Sequence, residues 1–189
     1  MTRIIAGYAG SISLAVPKSG TRPTSDRVRE AIFSALDASD ALTGARVVDL
    51  YAGSGALGLE AASRGAAEIV LVERDAAAAA VCRRNAATIR GLAPRGAEPR
   101  IDVVAQPVST WVGGAGGSRW DVAFLDPPYD LSESDLLGVL AALAPQLLAD
   151  AIVVLERSTR SPEPTLPAGL DLVRTKSYGE TAVHWLAPA

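Results

Sequence analysis

A chain of 189 residues, 49% hydrophobic and 21% charged, can bury a sizeable core and reads as one globular unit. Its single cysteine, Cys82, excludes an internal disulfide and a cysteine-based zinc site, and its most apolar stretch, residues 136–155, is broken by Pro145, Gln146 and Asp150, which argues against a membrane span. The net charge of −3 argues against a surface that binds nucleic acid all over, yet residues 1–36 hold Arg3, Lys18, Arg22, Arg27 and Arg29 against only Asp26 and Glu30, a basic front end on an acidic body that suits one local meeting with phosphate.

Residues 2–6 and 11–16 are short apolar-rich runs around Gly7-Tyr8-Ala9-Gly10 and predict an N-terminal β-hairpin, which must lean on the rest because two strands alone are not stable. One early Arg3 and a brief apolar run before Gly7 do not make a signal peptide, so a cytoplasmic protein is expected. A helix is predicted from about Ser25 to Ala38, capped by Thr24 or Ser25, with Val28, Ala31, Ile32, Ala35 and Leu36 as its apolar stripe. That stripe leaves Asp26, Arg29 and Glu30 outside it and Arg27 near its edge.

From residue 45 the pattern alternates. Strands are predicted near 46–50, 68–73, 100–104, 121–125 and 150–155, and helices near 56–64, 75–90 and 133–147, which indicates a mainly parallel sheet covered on both faces. The glycine-rich run 113–118 reads as a surface loop, and 170–176 and 181–187 as two closing antiparallel strands joined at Ser177-Tyr178-Gly179-Glu180. The expected organisation is an extension over residues 1–20 and a main domain over 21–189. Trp111, Trp120, Cys82 and His184 are expected to serve packing.

The segment Asp49-Leu50-Tyr51-Ala52-Gly53-Ser54-Gly55-Ala56-Leu57-Gly58 runs from strand to helix and satisfies G-x-G-x-x-G, a tight turn that lets backbone approach a ligand at a helix N-terminus. Glu73 ends the next strand twenty positions after Gly53, where an acid can accept hydrogen bonds from a ribose diol. Asp49 would repel the pyrophosphate of a dinucleotide but attract a sulfonium and an ammonium, so S-adenosylmethionine is favoured over NAD. A purely structural glycine turn, with Asp49 as a turn-capping carboxylate, is the alternative.

Asp126-Pro127-Pro128-Tyr129 follows the apolar run Val122-Ala123-Phe124-Leu125. Two prolines stiffen the turn and remove its donors, leaving carbonyls on display. Asp126 and the Pro127 carbonyl can grip the two hydrogens of a planar amino group while Tyr129 stacks on its ring.

Together these residues resemble the class I S-adenosylmethionine-dependent methyltransferases with an Asp/Asn-Pro-Pro-aromatic motif. Within them the chain is most similar to the RsmD family, which methylates a guanine N2 amine in 16S ribosomal RNA. Arg3-Ile4-Ile5-Ala6-Gly7, the segment Arg22 to Glu30, the glycine turn, Asp126 to Tyr129 and Tyr178-Gly179-Glu180-Thr181 carry the resemblance. It implies a Rossmann-like class I methyltransferase fold: a mostly parallel seven-stranded sheet with an antiparallel last strand, plus a small N-terminal β-hairpin extension.

The resemblance also implies that Asp49, Tyr51, Gly53, Gly55, Glu73 and Arg74 hold the cofactor, with Gln106 after the third core strand near the adenine. Asp126, Pro127, Pro128 and Tyr129 would hold the base, and Arg3, Lys18, Arg22, Thr24 and Arg27 would face RNA, with Arg22, Thr24 and Arg27 near the mouth, helping with the cofactor carboxylate or RNA phosphate. The hairpin departs from the family, being neutral at Ala9, Ser11 and Ser13 where basic residues are usual. The implied partner is small-subunit ribosomal RNA, within a 30S subunit or assembly intermediate, met by a monomer. The rivals are a DNA adenine or cytosine N-methyltransferase, a glutamine-amide methyltransferase and a noncatalytic assembly factor on the same fold.

Overall fold

The computed structural model describes residues 2–17, 25–114 and 119–189. Lys18, Arg22 and Thr24, like most of the glycine loop at 115–118, lie outside the described residues. The N-terminal hairpin is there but its ladder is short: β1 (Thr2–Arg3) pairs antiparallel with β2 (Ser13–Leu14). Most of the 2–6 and 11–16 runs is not strand because their backbone groups bond elsewhere. Ile5 and Ala6 donate to the Glu60 carboxylate, and Tyr8 and Ala9 donate to the carbonyl and hydroxyl of Ser63. Gly7 makes this docking possible: its φ is +80°, and a Cβ there would sit 1.8 Å from the Ser63 carbonyl oxygen.

Helix α1 (Asp26–Ala38) is capped by Ser25, whose hydroxyl accepts from the Val28 amide at 3.3 Å. The predicted stripe is buried at Val28, Ile32 and Leu36, but Arg29 departs from its expected place outside it, being 0% exposed. Its Nη2 donates to the Arg3 carbonyl and to Asp26 Oδ1 at 2.8 and 2.7 Å. Polarity patterning sorts residues by type and cannot see that a guanidinium will find a carboxylate one turn back on its own helix and a carbonyl on β1.

Seven strands form the main sheet: β3 (Arg46–Leu50), β4 (Glu68–Val72), β5 (Arg100–Val104), β6 (Trp120–Leu125), β7 (Leu147–Ser158), β8 (Leu170–Tyr178) and β9 (Thr181–Pro188). Their order is β5-β4-β3-β6-β7-β9-β8, with β3 to β7 paired parallel and β9 antiparallel to both its neighbours. The central strands read as continuous apolar runs because both faces are covered. On one face Val47, Phe124 and Val154 pack with α1, α2 (Ala56–Ser63) and α3 (Ala76–Gly91). On the other, Val48, Leu125 and Val153 pack with α4 (Val108–Gly114) and α5 (Glu133–Leu143).

Helix α4 is absent from the sequence expectation. Its signal is Val108, Trp111 and Val112 at i, i+3 and i+4 behind Pro107, but seven residues running into glycines are too short for periodicity to stand out. The helix predicted over 133–147 ends at Leu143, where Ala144–Gln146 tighten into a 3₁₀ turn around Pro145. Trp120 is 1% exposed and stacks obliquely on Trp111 at 6.0 Å. His184 is buried and paired with Thr175 Oγ1 at 2.9 Å. Both tryptophans and His184 thus serve packing, as does Cys82, which is 0% exposed. Among the described residues no helix is long and apolar enough to cross a membrane.

Sheet order fixes where function can sit. The chain leaves β3 towards β4 and β5, then returns to β6 on the other side of β3. In open parallel sheets the crevice beyond the strand ends at such a reversal is the place for a ligand. The glycine turn leaves the end of β3 and Asp126 leaves the end of β6.

Candidate active site

Two cavities open at this reversal. The larger, about 1030 Å³, is lined on one side by Tyr51, Gly53, Glu73, Arg74 and Asp75, and on the other by Asp126 to Leu131 and the start of α5. The smaller, about 340 Å³, lies between Ser25 at the head of α1, the ends of β6 and β7, and the β8–β9 turn at Tyr178 to Thr181. Asp126, Pro127 and Tyr129 line both, so the motif forms the wall they share. Pro127 is buried, while Tyr129 is 75% exposed, an aromatic face left for something to stack on.

The glycine turn is built by packing as much as by ligand access. Gly58 passes so close to β4 that a Cβ would lie 2.3 Å from Leu71 Cδ2. Tyr51 adopts φ 67°, an unusual state for a side-chain-bearing residue that costs on the order of 1–3 kcal/mol, and it lines the larger cleft. Burial, then the nearby Asp135 carboxylate, pushes its phenol up to about 12, so it stays a neutral donor.

Glu73 lines the cleft and also holds it together. Its Oε2 accepts from the Gly53 amide at 2.9 Å and its Oε1 from the Asp75 amide at 2.8 Å, fixing the turn after β3 to the turn after β4. Asn85 on α3 ties in a third strand of chain, donating to the carbonyls of Ser54 and Ala15, each at 2.9 Å, and accepting from the Ala15 amide. This leads the extension to the cleft, where Pro17 joins the wall.

Two sequence expectations need correction. Asp49 is not at the cleft wall: it is 2% exposed, and its Oδ2 accepts from the Gly58 amide at 2.9 Å in the first turn of α2. The turn-capping role, the alternative for this residue, is what the geometry shows. Gln106 is half-buried beside the cleft, whose wall there is made instead by Pro107, Val108 and Ser109. Of the cations expected to face RNA, Arg3 and Arg27 are exposed, with Arg3 3.9 Å from Asp26. The sequence reading missed Arg174 and Lys176, which share a face of edge strand β8 with Tyr178. Lys176 Nζ lies 5.3 Å over that ring, which itself lines the smaller cavity.

Burial is the main cause that lifts the Asp49 carboxyl to about 7, with Asp126 and Glu73 adding repulsion and the Gly58 amide opposing it. The fold therefore holds a proton on Asp49 that the unfolded chain releases near pH 4. Stability from this group is full below that pH and is lost as pH rises to about 7. The ionised form costs the fold on the order of 4 kcal/mol. Asp49→Asn, which keeps the acceptor for Gly58, is expected to flatten the fall in thermal stability between pH 4 and pH 7. Parallel melting curves of variant and parent would contradict the shift.

With this geometry in view, comparison with known proteins is decisive. The family model described as conserved hypothetical protein 95 matches residues 2–187. The chain is 35% identical over 182 residues to ribosomal RNA small subunit methyltransferase D of Escherichia coli K12, covering 95% of this chain and 86% of that one. It belongs to the small-subunit ribosomal RNA methyltransferase D family. The Haemophilus influenzae member of the same name is 30% identical, covering 94% of this chain and 89% of its own. A solved Thermus thermophilus structure, described as a hypothetical protein, superposes with TM-score 0.80 at 36% identity over 98% of both chains. For a methyltransferase D family member the shared wall at Asp126 to Tyr129 is the natural place to look for chemistry.

Proposed function

We propose that the protein transfers a methyl group from S-adenosylmethionine to the exocyclic N2 amine of a guanine in small-subunit ribosomal RNA. It would act in the cytoplasm, as a monomer, on a 30S subunit or an assembly intermediate. The observation that carries the reading is the wall shared by two cavities: one donor site, one acceptor site, and an amine-gripping motif between them.

The larger cleft fits the cofactor by charge. Among the described residues its wall presents Glu73, Asp75, Asp126, Asp130 and Asp135 against the single cation Arg74, a poor bed for a pyrophosphate and a good one for a sulfonium and an ammonium. These acids, rather than the buried Asp49, would attract the two positive groups. The Gly53 turn and Tyr51 would form one side of the cofactor site, and the Glu73 oxygens, which can each accept a second hydrogen bond, would be available to a ribose diol. When bound, the cofactor supplies an activated methyl on a cationic sulfur.

The chain's own groups do the rest by positioning. The guanine must be unpaired or extruded to enter the smaller cavity. Tyr129 stacks on it, a contact worth roughly 1–3 kcal/mol, while Asp126 and the Pro127 carbonyl take the amine hydrogens and turn the nitrogen lone pair towards the larger cleft. Asp126 need not be a strong base, because the amine becomes acidic only as it is methylated and its proton can leave late. Arg3, Arg27, Lys18, Arg22 and Thr24 are the proposed RNA-facing set, with Arg174 and Lys176 joining them.

Incubation with tritiated S-adenosylmethionine and small subunits lacking the modification is the direct test. The expected result is label in one 16S guanine, recovered as N2-methylguanine. Label in DNA or protein, or none in any substrate despite cofactor binding, would overturn the proposal.

A further inference from the structure

The charges of the main domain are not evenly mixed. Residues 76–100 hold Arg83, Arg84, Arg90, Arg95 and Arg100 against Glu98 alone, whereas residues 120–150 hold Asp121, Asp126, Asp130, Glu133, Asp135 and Asp150 and no cation. The fold sets α3 and α5, the helices of these two stretches, on opposite faces of the sheet. Helix α3 turns Ala78, Ala79, Cys82, Asn85, Ala86 and Ile89 inwards. Outwards it shows Ala76, Arg83, Arg84, Ala87, Thr88 and Arg90, a face with cations and no acid.

A surface helix gains from acids placed three or four positions from its cations. Helix α3 contains none and draws its helicity from alanine instead. Among the described residues no carboxylate pairs with Arg83, Arg84, Arg90 or Arg95. Arg83 makes one long bond to the Val103 carbonyl at 3.5 Å, Glu98 turns back to the Gly96 amide, and Asp102 takes Arg100. Arg83 and Arg90 are two turns apart, so they lie on one line, about 10 Å apart, with Ala87 between them. Two long cations flanking a methyl group leave a notch against which a sugar-phosphate backbone can lie, with the planar guanidinium groups reaching phosphate oxygens in pairs.

This face is remote from the chemistry. Helix α3 lies against β5, at one edge of the sheet, and the smaller cavity lies at the ends of β6 and β7. β5 and β7 are four ladder spacings apart, roughly 20 Å. A phosphate on α3 is therefore several nucleotides from a base in the cavity, or on another helix of a folded RNA. We propose that the outer face of α3, with Arg83, Arg84, Arg90 and Arg95, is a second docking surface for ribosomal RNA, gripping phosphates of a segment other than the one that supplies the guanine. This rests on small-subunit RNA being the substrate, and adds to that reading a contact that raises affinity without touching the reacting atoms.

The deciding variant changes Arg83, Arg84 and Arg90 together to glutamine, which propagates a helix about as well as arginine does. Parent and variant are compared for binding to unmodified small subunits and to protein-free 16S RNA across a range of salt, and for methylation kinetics. Each lost phosphate contact is worth about 0.7–0.9 in the slope of log affinity against log salt. The variant's slope is expected to be shallower by about 2 and its KM at least about tenfold higher, with kcat and S-adenosylmethionine Kd unchanged. Arg119→Gln, which removes an exposed cation beside Pro145 and away from α3, controls for net charge. A triple variant with the parent's slope and KM would overturn the assignment. So would an equal effect per charge from Arg119→Gln. A change seen on subunits but absent on protein-free RNA would give the face to a subunit protein and overturn it too. If the parent enzyme labels no guanosine, the methyl-transfer reading fails, while the salt slopes still decide whether α3 docks RNA.

Discussion

Asp126→Ala is expected to lower the single-turnover rate of methyl transfer by about 10³-fold or more while the S-adenosylmethionine Kd changes by no more than a few-fold. The asymmetry follows from where the side chain stands. Asp126 is half-buried at the end of β6 and belongs to the wall between the two cavities, whereas the cofactor side of the larger cleft is organised by Glu73 and the Gly53 turn. Its proposed task is to hold an amine at one orientation, and such positioning and preorganised hydrogen bonding account for factors of about 10² to 10⁴ when one group is removed. Asp126→Asn keeps one carbonyl acceptor and is expected to fall between alanine and the parent. Rapid-quench kinetics and calorimetry read the two quantities separately. An alanine variant with full activity would remove Asp126 from the site.

The fold was legible because it is written in repeated local signals. Each central strand was marked by a short apolar run, and the turn to α2 by three glycines whose backbone and packing demands are strict at Gly58. The site was legible in part for the same reason: Asp126 to Tyr129 makes poor local folding sense and could be singled out before any coordinates. What stayed hidden depends on pairings between distant segments. Glu73 lies twenty positions from Gly53 and was read only as a ligand group, although it also fastens two loops. Asp49 looked like a charge for the cofactor because sequence gives no depth, and depth is what hands it to Gly58 and protonates it. Arg174 and Lys176 are invisible without the alternation of an edge strand beside a cavity.

Depth also decides the largest effect expected on stability, that of Glu60→Ala. Glu60 lies on α2 at 0% exposure, where an unpaired carboxylate would be intolerable. It is satisfied by a segment 54 and 55 positions away: the Ile5 amide donates to Oε2 at 2.6 Å and the Ala6 amide to Oε1 at 3.0 Å. Arg64 Nε, one turn on, donates to Oε1 at 2.7 Å. Alanine would leave two backbone amides and the Arg64 Nε–H without their acceptor, while Arg64 keeps Asp37 through Nη1, a loss of about 3–5 kcal/mol. For a chain of this size that is a fall of about 6–20 °C in Tm. Glu60→Gln keeps one acceptor oxygen and should lose less. The extension is expected to loosen first, so the Ile5 and Ala6 amides should lose hydrogen-exchange protection before the central strands do. Because the same extension reaches the cleft through the Ala15–Asn85 pair and Pro17, the loosened variant should also bind S-adenosylmethionine more weakly at temperatures well below its melting point. Unchanged protection at Ile5 and Ala6 would show that Glu60 does not hold the extension in place.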